Sequence, residues 1–307
     1  MYAPAAVTVA APERRVLSPA VPVRALPMPP LDGVEHRYEH VDGVRIHYAE
    51  AGEGPPLVLV HGWPQHWWCW RELIGPLSEH YRVICPDVRG MGWSEAPPAD
   101  YSRGRLVADL FGLLDALGIE RVRLVGHDWG LAIGYQAALE EPQRFERLAP
   151  MGGPHPWSPS GGTPRLYLRP WHIYLNPTPL GRFAVRRLGL AEHLLREWRR
   201  NGRFTPEEEE IFTGPLRRPG SANATMRRYR ALLTSDVPFF ARRHKQLRLR
   251  VPTLHLNGAD DPLTQAVPDS YRSYTDDMRL ELVPDCGHFA AEEQPAWVLD
   301  RLLEFMR

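Results

Sequence analysis

Gly-x-Ser-x-Gly occurs nowhere in the 307 residues, so the chain lacks the serine turn of ester and amide hydrolases. Cysteine is scarce. Cys69, Cys85 and Cys286 are an odd number without paired metal-type spacing, and read as free thiols in a reducing, cytoplasmic compartment. Net charge is absent, with 37 basic and 37 acidic residues, which removes any global pull toward nucleic acid or an acidic membrane. No apolar run approaches the roughly 20 residues that a membrane-spanning helix needs. Residues 1–32 are rich in Pro, Ala and Val, and the prolines interrupt the apolar stretch a signal peptide requires. That segment is expected to be an extended surface leader.

What is present supports a large core, with 43% hydrophobic content. Strands are predicted at 36–41, 44–50, 56–60, 82–86, 121–125, 146–151, 251–257 and 278–284, the first two joined by an Asp42-Gly43 hairpin turn. Helices are predicted at 66–78, 103–117, 131–140, 266–274 and 292–306. This alternation implies an α/β protein with a mostly parallel sheet of eight strands, covered by helices on both faces. The rhythm fails over 154–245, where the chain is Arg-rich and Pro-punctuated, with helical stretches near 180–201, 206–213 and 221–234. Residues 155–245 carry a net charge of +10 and the rest of the chain −10. Salt-bridged, solvated faces are the plainer reading of that excess. The division that follows is a core of 33–153 and 246–307 with a helical lid at 154–245.

The chemistry centres on Gly126-His127-Asp128-Trp129-Gly130, directly after the apolar run ending at Val125. A strand enters a tight turn between glycines and a helix follows, which is a nucleophile elbow with Asp in the serine position. A carboxylate that attacks carbon makes an alkyl ester, so it suits a strained or good leaving group on sp³ carbon.

The chain resembles the α/β-hydrolase fold from about residue 34 to 306, and within it the epoxide hydrolase branch, close to haloalkane dehalogenases. His61-Gly62-Trp63-Pro64, Asp87-Val88-Arg89-Gly90-Met91-Gly92-Trp93-Ser94, the Asp128 elbow, Asp261 and Gly287-His288-Phe289 agree in order. The resemblance implies that Asp128 is the nucleophile, His288 the base that activates water, and Asp261 the acid that orients His288. Asp260 is the neighbouring competitor, but the family's acid stands before proline or a similar residue, as Asp261 does before Pro262. Backbone N–H groups of Trp63 and Trp129 would form the oxyanion hole, and the Trp63–Pro64 bond is a candidate for cis. The Asp87–Ser94 motif is assigned a structural part.

Opening an epoxide leaves an alkoxide that needs donors from the lid. Tyr229, in Arg228-Tyr229-Arg230, matches the lid tyrosine, and the second donor is His172, with Tyr174 the competitor, in Pro170-Trp171-His172-Ile173-Tyr174. Trp171, Tyr174 and Phe289 are candidate substrate-binding residues. Trp63, Trp67, Trp68, Trp129, Trp157 and Trp171 together suggest an apolar, aryl-accepting pocket for a small-molecule epoxide. The reaction needs no cofactor and no metal. No nucleic-acid or membrane partner is implied, and the chain is expected to be a monomer or homodimer. Two alternatives remain: a haloalkane dehalogenase using the same three residues, and a non-catalytic ligand binder of the same fold.

Overall fold

At the Asp42-Gly43 turn both residues take positive φ, 48° and 73°, the two-residue geometry that matches strand twist. It closes a hairpin of β1 (Glu35–Val41) and β2 (Val44–Ala51), with Val41 opposite Val44. The computed structural model describes residues 27–158, 170–243, 246–263 and 269–307. The hairpin adds to β3 (Pro56–Val60), β4 (Arg82–Pro86), β5 (Val122–His127), β6 (Phe145–Met151), β7 (Thr253–Gly258) and β8 (Met278–Val283). These eight strands form one sheet in the order β1-β2-β4-β3-β5-β6-β7-β8. β2 runs antiparallel to both its neighbours, and the remaining pairs are parallel.

The central strands are short apolar runs because helices cover both faces. Along β3 the side chains alternate between two cores, Leu57 and Leu59 on one face and Val58 and Val60 on the other. The first core takes Leu73 and Leu77 of α1 (Arg71–Ser78) and Leu302 and Phe305 of the C-terminal helix Pro295–Met306. The second takes Leu106, Leu110 and Leu113 of α2 (Arg103–Ala116) and Ile133 and Ala137 of α3 (Trp129–Glu140). The result is the α/β-hydrolase architecture.

Between β6 and β7 the described chain is helical: His172–Leu175, Pro179–Arg187, Leu190–Glu197, Pro206–Thr213, Pro219–Ala231 and Val237–Arg243. The predicted helix at 180–201 is broken at Gly189, which takes the left-handed conformation at φ 68° and so ends one helix and starts the next. The helix predicted at 266–274 is not found as such. Residues 264–268 lie outside the described residues, and Asp269–Ser273 is a short 3₁₀ turn. Most of the predicted leader, residues 1–26, also lies outside them. Its described end is not free, because Met28 and Leu31 pack against the first core. All three cysteines are buried and unpaired. Among the described residues no helix is long and apolar enough to cross a membrane.

Candidate active site

Four strand ends converge at the carboxyl edge of the sheet, where ligands of open α/β sheets bind. β3 leads to His61–Pro64, β5 to Asp128, β7 to Asp261 and β8 to His288. The elbow is tight. Asp128 sits at φ 53°, ψ −107°, and a Cβ at Gly130 would collide with the Val60 carbonyl, one at Gly126 with the Gly130 carbonyl. The flanking glycines are therefore a steric condition for presenting Asp128. Gly62 answers the same demand from the opposite loop, since a Cβ there would strike the Asp128 side chain.

One oxygen of Asp128, Oδ1, accepts the Trp63 backbone N–H at 2.8 Å, and the Trp129 N–H also bonds the carboxylate. The Trp63–Pro64 bond is cis. His61 clips this turn in place: Val88 N–H donates to its Nε2 at 3.0 Å, so its Nδ1–H faces the Gly62 carbonyl at 3.0 Å. Burial holds His61 neutral, down to about 4, despite Asp87 nearby. The Asp128 side chain keeps 24% of its exposure, and its Oδ2 lies 3.9 Å from His288 Nε2. That separation is too long for a hydrogen bond and short enough for charge attraction. Burial raises the Asp128 carboxyl, against His288, the two N–H donors and Arg228, which lower it.

His288 Nδ1 bonds Asp261 Oδ2 at 2.9 Å. Asp261 is 2% exposed, and its other oxygen accepts the Leu263 N–H at 2.8 Å. Asp260 instead points outward and pairs with Arg200 at 3.3 Å. Burial alone would lower His288, but Asp261, Asp128 and Glu293 together raise it. His127, which sequence reasoning passed over, bonds the His288 carbonyl through Nε2 at 2.8 Å. Burial pushes it down to about 3, so it is a neutral donor.

The helical segment covers this edge. The Tyr229 ring meets Trp63 edge-on at 5.6 Å and Trp129 at 5.5 Å. Burial and Asp128 push its phenol upward, so it is a proton-bearing donor at neutral pH. His172 stacks on Trp63 at 6.0 Å and meets Tyr229 edge-on at 5.8 Å. Desolvation takes it down to about 3, leaving a neutral imidazole whose Nδ1 has no partner. Tyr174 is 46% exposed, so of the two candidates His172 is the one brought to Trp63 and Tyr229. Trp171 lies against His172 at 6.3 Å and His193 at 6.1 Å. Phe289 is buried beside His288, His127 and Phe204, a packing position next to the base.

Three tryptophans do not join the site. Trp157 lies in the opposite core against Tyr135 and Tyr274, Trp67 packs on His36 and His47, and Trp68 packs on Phe212 and Arg71. Trp198, unremarked in the sequence, meets both His288 and His172 edge-on at 5.2 Å. Arg228 is a second surprise. It is 1% exposed, donates to the Arg89 carbonyl at 2.8 Å and to Met91 Sδ, and lies 5.5 Å over the Trp129 ring. Its position behind Trp129 follows from long-range packing, which an Arg-rich helix does not announce. Among the described arginines of the segment, Arg196 pairs with Glu209, Arg200 with Asp260, and Arg217 with Glu192 and Glu210, so salt bridges account for only a few of its cations.

Residues 55–295 match a family described as the alpha/beta hydrolase fold. A soluble epoxide hydrolase of Corynebacterium sp. (strain C12) is 28% identical over 290 residues, covering 89% of this chain and 97% of that protein. Epoxide hydrolase 4 of Mus musculus is 28% identical, covering 86% and 77%. The solved structure of the epoxide hydrolase CorEH without ligand superposes with a TM-score of 0.80 at 27% identity, covering 89% of this chain and 98% of that one. This chain therefore belongs to the alpha/beta hydrolase fold family.

Proposed function

We propose that this protein hydrolyses epoxides to vicinal diols through a covalent ester on Asp128, with residues 154–245 as the lid over the site. The observation that carries this reading is the pairing of faces. A carboxylate held by two N–H groups looks across at the protonated Tyr229 and the neutral His172, which can donate but not repel a developing alkoxide. The likeness to proteins named epoxide hydrolases over most of the chain agrees with it.

In the first half-reaction Asp128 Oδ2 attacks an epoxide carbon and the C–O bond on that carbon breaks. The freed oxygen takes a proton from Tyr229 with His172 hydrogen-bonded beside it. In the second, water adds to the ester carbonyl carbon while His288 Nε2 takes one of its protons. The tetrahedral oxyanion rests on the N–H groups of Trp63 and Trp129. Collapse expels the diol oxygen, which takes the proton from His288, and the carboxylic acid left on Asp128 returns its proton through solvent to Tyr229. Esterification also removes the Asp128 charge that helps raise His288, so the base becomes less basic when it must be neutral. Trp63, Trp129, Trp198 and Tyr229 surround the centre with aromatic surface, which suits an apolar or aryl epoxide.

The test is intact-protein mass of His288→Gln after exposure to styrene oxide and, separately, to the matching bromide. Without the base the ester forms and stays. An adduct equal to the whole epoxide, mapped to Asp128, is the expected result. An adduct from the bromide alone, with halide lost, would move the assignment to a dehalogenase. A folded variant with no adduct from a wider epoxide panel would leave a ligand-binding protein.

A further inference from the structure

Glu293 is a buried carboxylate near the site that the mechanism above leaves unused, and it holds four backbone N–H groups. Its Oε1 accepts from Phe289 N at 3.0 Å. Its Oε2 accepts from Gly287 N at 3.0 Å, Arg200 N at 2.7 Å and Asn201 N at 2.8 Å. The first two donors flank His288. The other two belong to the turn between the lid helices Leu190–Glu197 and Pro206–Thr213. The N–H of His288 itself donates to the Trp198 carbonyl of that same turn at 2.9 Å. Three consecutive amides of the base's loop are thus tied to Glu293 or to the lid.

Other contacts hold the same two pieces together. A Cβ at Gly287 would lie 2.7 Å from the Trp198 carbonyl and 2.8 Å from Arg200 N, so the turn rests directly on the loop. The Asn201 side-chain amide donates to the Asp285 carbonyl. Glu293 is 9% exposed, and a buried carboxylate with four N–H donors is a strong and directional anchor.

We propose that Glu293 is a positioning residue for His288, and that through it the Trp198–Asn201 turn makes ester hydrolysis depend on a seated lid. The proposal rests on the reading of Asp128 as nucleophile and His288 as base. Alkylation uses Asp128, Tyr229 and His172, none of which bonds Glu293. Hydrolysis needs the His288 Nε2 within hydrogen-bond reach of a water over the ester, and that reach depends on its loop. In Glu293→Gln, an amide NH₂ replaces one acceptor oxygen and faces backbone donors, so either the Phe289 bond or the three bonds of the other oxygen are lost.

Rapid-quench single turnover with styrene oxide, read by intact-protein mass, separates the two steps. In Glu293→Gln the ester should accumulate, with hydrolysis slowed by about 10²-fold and alkylation kept within about threefold, the scale expected for a displaced catalytic group. Hydrolysis at the wild-type rate, or equal slowing of both steps, overturns the proposal, since a loosened structure affects both. Should this variant fail to fold, Asn201→Ala decides at the surface end of the tie. It should slow hydrolysis about two- to fivefold, on the order of one lost hydrogen bond, without changing alkylation, and an unchanged hydrolysis rate overturns the proposal. Failure of the underlying assignment looks different, because then His288→Gln also traps no ester.

Discussion

Asp87 and Asp128 stand at the carboxyl ends of β4 and β5, on either side of β3, and each has histidines for neighbours. Asp87 is fully buried, with Oδ1 accepting Trp67 N at 2.9 Å and Oδ2 accepting Trp93 N at 2.8 Å and facing His47 Nδ1 at 2.7 Å. Burial alone would raise its carboxyl, but His47, His66 and His61 outweigh it and hold the group far below the usual carboxylate range. A Cβ at Gly92 would strike the same carboxyl, so the Asp87–Ser94 loop is wrapped on it. Asp128 has Oδ1 held by the Trp63 N–H, a left-handed backbone and partial exposure, and its carboxyl is raised. Residue type and place in the fold are shared. Burial and donor count separate a fastener from the proposed reagent: both Asp87 oxygens are held, by three donors in all, and sealed from solvent, whereas Asp128 Oδ2 stays partly open.

The comparison is broken most directly at Asp128. Asp128→Asn should reduce turnover by at least about 10⁴-fold, the scale of losing a nucleophile. Thermal unfolding should be unchanged or slightly higher, because the residue is strained and under-bonded. A large loss of stability with residual turnover would mean that Asp128 is the fastener. Asp87→Asn should do the reverse and cost about 3–5 kcal/mol in urea unfolding, since it leaves buried donors facing an amide and His47 without its anion. Turnover per folded molecule should stay within about tenfold, because Asp87 acts only through the loops that it ties.

Much of this was legible in the amino-acid sequence, for physical reasons that also mark where legibility ends. All eight strands lie where the apolar runs place them, since central parallel strands are continuous apolar segments bounded by turn residues. Asp128, Asp261 and His288 could be singled out because each follows a strand, in the chain order that the fold imposes, and the structure brings the three side chains to one edge of the sheet. The preference for His172 over Tyr174 rests on the resemblance alone. Residues two apart on a helix point to nearly opposite sides, so only the helix's rotational setting decides, and that comes from packing. Trp157 looked like a pocket wall by residue type and lies in the opposite core. Glu293 was invisible because its partners Arg200 and Asn201 are over 90 residues away in sequence.

The donors opposite Asp128 sharpen the comparison next. Tyr229→Phe should slow alkylation by about 10²-fold in single turnover, the lower range for a positioned proton donor. His172→Phe should slow it by about tenfold, as loss of one hydrogen bond to a charged oxygen. Ester hydrolysis, measured after rapid mixing with excess substrate removed, should change less in both. Equal effects on the two steps would assign these side chains to packing.

A pH profile tests the change in His288 between the two half-reactions. In the proposed mechanism hydrolysis requires neutral His288, so its rate should fall as pH falls through the pKa of that group. In the free enzyme Asp128 helps to raise this pKa, and in the ester that charge is gone. The acid limb of the hydrolysis step should therefore lie at lower pH than the His288 titration seen by NMR in the free enzyme. Coincidence of the two would mean that Asp128 and His288 do not feel each other's charge, despite the 3.9 Å approach.

The smallest effect is expected one residue from one of the largest. Asp260 and Asp261 are adjacent, yet Asp260 is a half-exposed partner of exposed Arg200, while Asp261 is enclosed with His288 and the Leu263 N–H. An exposed ion pair contributes at most about 0.2–1 kcal/mol. Asp260→Asn should thus leave urea unfolding within about 0.5 kcal/mol of the parent, with turnover within about twofold. Asp261→Asn keeps the shape but removes the charge that stabilises imidazolium, and should slow hydrolysis by about 10²-fold or more while alkylation proceeds. If the two variants behaved alike, burial and donor count would have failed to distinguish neighbouring carboxylates, and the contrast drawn between Asp87 and Asp128 would lose its basis.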